Sequence, residues 1–279
     1  MFIEKRKFKN SKGLTLSALY EGEDKRAPLV ILCHGYASSK DSNSTKSLAQ
    51  KLVKAGLCIF RFDFTGCGDS EGILEYDLTP MVGLDDLKSA VKQIGKKSFA
   101  LYGSSFGGYV ALLYSERKNS GFQVFDRESQ VFDSETQTRG TESAPDKANL
   151  ERGRENQGRK NVGIYSSKHQ ILAVGLKSPV SDFVQVIKNR PLGRTVKFYE
   201  EVKRINLYSD AKQINCPFLI IHGDKDDVVP ISQSVKLMKA LGSKIKRLEV
   251  IKDADHDIRG EDLEKATALI ANFFKQTLL

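Results

Sequence analysis

The residues with the clearest chemical promise stand in the run Ser98-Phe-Ala-Leu-Tyr102-Gly-Ser-Ser105-Phe-Gly107-Gly-Tyr-Val-Ala-Leu-Leu-Tyr-Ser115. An apolar stretch, a Gly-x-Ser-x-Gly pentapeptide and a helical stretch follow one another, which reads as strand, sharp turn and helix. A serine at the apex of such a turn is forced into an uncomfortable backbone angle that pushes its hydroxyl clear of its neighbours, and Gly103 and Gly107 leave room where a Cβ would clash. Ser105 is therefore the candidate nucleophile. The helix starts directly behind it, so the main-chain N–H of Phe106 points from a helix N-terminus toward charge developing next to Ser105. A hydroxyl is a weak nucleophile at neutral pH and needs a base to take its proton. Two later strand ends offer the groups for that task. One carries the carboxylates Asp224, Asp226 and Asp227, and the other carries His256.

The elements that must position these groups alternate along the chain. Phe2 to Phe8 and Leu14 to Tyr20 show two-residue alternation around Asn-Ser-Lys-Gly, the pattern of a hairpin at a sheet edge. Leu29 to Cys33 is a continuous apolar run, as in a strand covered on both faces, and ends in the polar loop His34-Gly35-Tyr36. A helix is expected from Ser44 to Ala55, a strand from Leu57 to Phe62, and an amphipathic helix from Leu78 to Ile94. After the serine strand and helix come a strand at Ile171 to Leu176 and two short helical patches between Asp182 and Gln213. A strand at 217–221, a helix at 232–241, a strand at 247–251 and a helix from about 262 to 275 complete the chain. Buried strands alternating with helices predict a mostly parallel sheet with helices on both faces. The segment 182–213 is too small for a domain but large enough for a small cap.

Between residues 116 and 166 the pattern lapses. Apolar residues are sparse, no period is sustained, and charges of both signs nearly cancel, so this stretch builds no core of its own. Joining Ser115 to Ser167 would restore an unbroken helix, turn and strand. The expectation is one domain over 1–279 with an in-frame, disordered insertion at 116–166, because compact domains rarely carry loops this long.

Composition removes several classes of function. With 44 Lys+Arg against 35 Asp+Glu the formal charge is +9, but the basic residues are scattered in ones and twos, which describes a solvated surface rather than a nucleic-acid groove. Cys33, Cys58, Cys67 and Cys216 lack C-x-x-C spacing and suit reduced buried thiols, so no metal site is expected. Gly66, Gly68 and Gly72 follow a strand but miss the dinucleotide spacing, and Asp and Ser fill the interval where a helix should open. A tight loop without a cofactor is expected there. The charged N-terminus lacks an apolar leader region and no run nears 18 apolar residues, so no membrane span and a cytoplasmic location are expected. Oligomeric state is not encoded in any of these features. The neighbours Cys33 and His34 would point to opposite faces of a strand, against a cysteine nucleophile. His34 and His222 begin turns at strand ends, where structural hydrogen bonding is expected, and His169, at the insertion boundary, is expected to be exposed.

The chain order Ser, Asp, His, the Gly-Ser-Ser-Phe-Gly-Gly elbow, the His-Gly-Tyr loop, Asp63-x-x-Gly-x-Gly-x-Ser70, His222-Gly-x-x-Asp226-x-x-Val-Pro230 and His256 together resemble the α/β-hydrolase fold serine hydrolases. Within them the sequence is most similar to bacterial cinnamoyl and feruloyl esterases and the serine aminopeptidase-like group. The resemblance implies a catalytic triad of Ser105, His256 and Asp226, with Asp227 as the alternative acid, and an oxyanion hole made by the main-chain N–H groups of Tyr36 and Phe106. The activity it implies is cleavage of a small-molecule ester or acyl substrate through an acyl-Ser105 intermediate, without cofactor or metal. Amide or thioester cleavage on the same residues is the alternative within that chemistry. A non-catalytic interaction protein, inactivated by the insertion, is the alternative outside it.

Overall fold

The computed structural model describes residues 1–119, 169–189 and 194–279, with the side chains of 117–119 excepted. These residues belong to one compact unit, Met1–Gly121 with Lys168–Leu279. The 116–166 insertion expected from the sequence lies almost wholly outside the described residues.

The chain opens with a hairpin, β1 (Phe2–Lys9) and β2 (Thr15–Gly22), followed by β3 (Leu29–Cys33), α1 (Asn43–Lys54) and β4 (Cys58–Phe62). Next come α2 (Leu74–Asp77), α3 (Pro80–Ile94), β5 (Ser98–Ser104) and α4 (Phe106–Asn119). Then follow β6 (Gln170–Lys177), α5 (Phe183–Asn189), α6 (Val196–Arg204), α7 (Leu207–Asp210) and a 3-10 turn at Ala211–Gln213. The last elements are β7 (Phe218–Gly223), α8 (Ser232–Ala240), β8 (Lys246–Ile251) and α9 (Gly260–Leu278).

The eight strands form one sheet in the order β1-β2-β4-β3-β5-β6-β7-β8. Only the β1–β2 and β2–β4 pairings are antiparallel, so β2 alone runs against the others. Alternate side chains of β3 show how the sheet is covered. Leu29, Ile31 and Cys33 join the core under α3 and α4, while Val30 and Leu32 join the core under α1 and α9. From β3 the chain passes to β4 on one side, and from β4 it crosses back to β5 on the other. The carboxyl ends of β3 and β5, paired Cys33 to Gly103, therefore flank the point where strand order reverses, the place where open α/β sheets hold their ligands.

Two boundaries differ from expectation. The helix anticipated from Leu78 starts instead at Pro80, because the Thr79 side chain caps Val82 N–H and proline fits the first helical position; a separate short helix, α2, precedes it. α4 runs to Asn119, so residues 116–119 lie within the helix, and Glu116 is buried. Cys33, Cys58 and Cys67 are buried free thiols and Cys216 is half-buried. His169 is partly buried, with its ring 6.3 Å from that of Phe99, where exposure was expected.

Candidate active site

Ser105 sits at φ +50°, the left-handed conformation that side-chain-bearing residues rarely adopt. Its neighbours explain how the turn holds. A Cβ on Gly103 would collide with the main chain of Gly107 and Gly108, and one on Gly107 would collide with the carbonyls of Cys33 and His34. Glycine alone lets α4 press its first turn against the ends of β5 and β3. The Ser105 N–H donates to the Lys177 carbonyl at 3.0 Å, and its carbonyl accepts from Tyr109 at 3.1 Å and Val180 at 3.3 Å.

The structure brings His256 and Asp226 to this serine. His256 Nε2 lies 2.9 Å from Ser105 Oγ, and His256 Nδ1 lies 2.7 Å from Asp226 Oδ2. An ionised carboxylate only accepts, so Nδ1 carries the hydrogen and Nε2 presents its lone pair to the hydroxyl. Asp226 is buried in the turn after β7. Its Oδ1 accepts from the N–H groups of Val228 at 3.0 Å and Val229 at 2.7 Å, and its Oδ2 also faces His222 Nε2 at 3.1 Å. Burial works to raise the Asp226 carboxyl, but the hydrogen bonds from His222, His256 and Val229 outweigh it and hold the group well below the usual carboxylate range. Asp224 and Asp227 are exposed, and Asp224 instead accepts from Asp253 N–H at 2.6 Å.

His222 and His34 make the structural bonds expected of them. His222 Nε2 faces the Val229 carbonyl at 2.9 Å, so it carries the hydrogen, and Nδ1 meets Ser234 Oγ at 2.7 Å. His34 Nδ1 faces the Gly35 carbonyl at 2.7 Å, and its Nε2 accepts from Phe64 N–H at 3.1 Å, which ties the β3 loop to the β4 loop. Burial lowers the pKa of His34, in keeping with that neutral pattern. The glycines after β4 form the tight loop expected. Asp63 anchors it, with Oδ2 accepting from Asp69 N–H at 3.0 Å and from Lys40 Nζ at 2.7 Å.

Tyr36, the second predicted oxyanion residue, stands close by. A Cβ on Gly35 would come to 3.6 Å from Ser105 Cβ, and the Tyr36 ring packs edge-on against Phe106 at 6.0 Å. Among the described residues, no main-chain carbonyl accepts from the N–H of Tyr36 or of Phe106.

Sequence reasoning missed Lys177, because the predicted strand stopped at Leu176. Lys177 is buried, and its Nζ donates to the carbonyl of Asp257, next to His256, at 2.8 Å. Burial pulls its pKa down to about 8, against the carboxylates of Asp257, Asp226 and Asp255. Among the described residues, no cluster of three or more His, Cys, Asp or Glu side chains is arranged to hold a metal, and no helix is long and apolar enough to cross a membrane.

A reversing parallel sheet with a strained serine between β5 and α4, and with an acid and a histidine after later strands, is the arrangement of the α/β-hydrolase fold, and the chain has that fold. Residues 28–125 match the family model described as alpha/beta hydrolase fold, and residues 192–262 match the serine aminopeptidase S33 model. A 31.7 kDa protein from the traX-finO intergenic region of Escherichia coli is 25% identical over 97% of this chain and 98% of its own. The human mitochondrial palmitoyl-protein thioesterase ABHD10 is 24% identical over 84% of this chain and 68% of its own. Among solved structures, ferulic-acid-bound Est1E from Butyrivibrio proteoclasticus superposes with a TM-score of 0.72 at 18% identity, covering 98% of each chain.

Proposed function

We propose that the protein is a serine hydrolase that cleaves carboxylic esters through an acyl-Ser105 intermediate. The observation that carries this reading is the continuous relay from Ser105 Oγ through His256 to Asp226, with links of 2.9 and 2.7 Å. His256 Nε2 takes the Ser105 proton as Oγ attacks the ester carbon, and Asp226 stabilises the resulting imidazolium. The N–H groups of Phe106 and Tyr36 donate to the tetrahedral oxyanion; each such donor contributes about 3 kcal/mol in the transition state. Collapse expels the alcohol, which leaves with the proton from His256. Water then gives its proton to the same nitrogen, attacks the acyl group and frees the acid, and the Ser105 hydroxyl is restored.

The test combines a fluorophosphonate probe with a panel of p-nitrophenyl esters of rising chain length. Labelling of the wild type that disappears in Ser105→Ala, together with ester turnover lost in Ser105→Ala, His256→Ala and Asp226→Asn, supports the reading. A folded wild-type protein that never labels and never turns over belongs instead to a non-catalytic interaction protein. Because members of a triad act as a unit, the double variants fall little below the single ones. If Asp227→Asn is inactive and Asp226→Asn active, the acid is Asp227.

A second reading, thioester cleavage on the same residues, draws on the 24% identity to a palmitoyl-protein thioesterase. Matched oxygen and thiol esters of one acyl chain separate the two by their kcat/KM ratio.

A further inference from the structure

Arg194 lies in the connection between α5 and α6, two residues before the first turn of α6. Its guanidinium carbon stands 3.4 Å from the centre of the Tyr36 ring, a stacked cation–π contact. That places a positive charge directly over the ring of Tyr36, one of the two residues proposed to form the oxyanion site, while the same ring rests against Phe106, the other.

This arginine differs from every other arginine whose side chain is described. Arg6, Arg26, Arg61, Arg204, Arg247 and Arg259 each have a carboxylate within 4.0 Å. Arg194 has none among the described residues, and its Nε is buried without a hydrogen-bond partner. Burial lowers its pKa, and Glu75 acts on it only from longer range. A guanidinium stays charged in proteins, so a partly buried one whose buried Nε lacks an acceptor favours an anion that supplies it. Its planar fork suits a carboxylate in two-pronged geometry, and the stack on Tyr36 holds it ready before the ligand arrives. The surroundings describe the rest of that ligand. Tyr36 donates its hydroxyl hydrogen to the Leu74 carbonyl at 3.4 Å, and the neighbouring residues Ile73 and Tyr76, like Val196 beyond Arg194, present exposed large apolar side chains. The net charge of +9 also favours anionic ligands on approach.

We propose that Arg194 selects esters bearing a carboxylate, joined through an apolar spacer to the scissile carbonyl or to the leaving alcohol. The proposal rests on the serine-hydrolase reading above. The guanidinium pairs with that carboxylate while the carbonyl lies at Ser105, so the anion acts as a handle that places the ester in the oxyanion site. Hydrogen bonds to a charged group of this kind correspond to about ten- to hundredfold in selectivity.

The experiment measures a ratio, so a general loss of activity cancels. Mono-(p-nitrophenyl) glutarate is compared with p-nitrophenyl valerate, and 4-carboxyphenyl butyrate with phenyl butyrate, in wild type, Arg194→Ala and Arg194→Lys. The expected result is that kcat/KM for the anionic member of at least one pair, divided by that for its neutral partner, falls about ten- to hundredfold in Arg194→Ala. Arg194→Lys, which keeps the charge and loses the fork, recovers part of it. Ratios unchanged within twofold in both pairs overturn the proposal. Failure of the hydrolase reading is recognised separately, as a wild-type protein that hydrolyses no member of either pair and does not label with fluorophosphonate. In that event the Ser105→Ala protein, with and without Arg194→Ala, is titrated with glutarate by calorimetry. Binding that disappears with Arg194 then supports the anion site, and absent or Arg194-independent binding overturns it.

Discussion

Replacing Lys177 with methionine should make the protein more stable and less active at neutral pH. The Lys177 ammonium is almost wholly removed from water, and burial pulls its pKa from 10.5 down to about 8. A difference of that size corresponds to about 3 kcal/mol spent keeping the group charged in the folded protein at pH 7. Methionine fills a similar volume without a charge, but it leaves the Asp257 carbonyl without its donor, which returns about 1–2 kcal/mol. The net gain at pH 7 is therefore about 1–2 kcal/mol. The pH dependence identifies the cause. Because the folded pKa lies below the unfolded one, the unfolded chain binds more protons between pH 8 and 10.5, and wild-type stability rises across that window relative to the variant. The variant's advantage shrinks as pH climbs and reverses at about pH 9, above which the wild type keeps a neutral amine bonded to Asp257. Urea unfolding of both proteins at half-unit steps from pH 7 to 10.5 reads this directly, since every other titrating group cancels in the difference. A stability difference that stays constant over the window would refute the reasoning. The catalytic cost is read from kcat/KM at pH 7: the loop carrying His256 loses its tether to β6, and a small displacement of a positioned base lowers turnover steeply.

Gly107→Ala should lower ester turnover about a hundredfold while the protein still folds, because the new Cβ must push α4 away from the Cys33 and His34 carbonyls and carry the Phe106 N–H with it; wild-type turnover in this variant would mean that the N–H tolerates displacement. Removal of residues 120–166, closed by a short Gly-Ser linker, should retain folding and activity, since the described elements already form one compact unit and loop closure depends only weakly on length; an insoluble or inactive product would make the segment part of the enzyme.

The elbow was legible because its chemistry is local. Ser105, Gly103 and Gly107 stand within five residues, and their steric requirement is met by main-chain atoms of the same turn and of the adjoining β3 loop. His256 was legible for a similar reason, following an apolar strand at a loop that nothing else explained. The choice among Asp224, Asp226 and Asp227 was not decided by spacing alone. The turn distinguishes them, since only Asp226 has its Oδ1 engaged by Val228 and Val229 and its Oδ2 beside His256 Nδ1. Lys177 and Arg194 were invisible because their significance depends on partners distant in sequence. Lys177 reaches Asp257, 80 residues on, and Arg194 stacks on Tyr36 from a connection with no recognisable pattern. The early start expected of α3 came from apolar spacing that continues smoothly across Leu78, whereas the helix itself obeys Thr79 and Pro80.

The hydrogen bonds around the site refer each reacting group to a neighbouring strand. Ser105 follows β5, Asp226 follows β7, and the strand between them, β6, ends in a residue that touches both remaining parts. Its carbonyl accepts the Ser105 N–H and its amine holds Asp257 beside His256. Displacement of the nucleophile relative to the base therefore requires β6 to part from a neighbour within a continuous ladder, which protein interiors resist. The helices between β6 and β7 are under no such constraint. α6 buries Phe198 and Val202 in the core and meets the start of α3 through Glu201, which accepts from Thr79 Oγ1 at 3.0 Å and Met81 N–H at 2.9 Å. Changes in that connection can alter what lies over Tyr36 without disturbing the relay below it. Under the proposed hydrolase reading, this separation leaves substrate choice to residues such as Arg194 rather than to the strands.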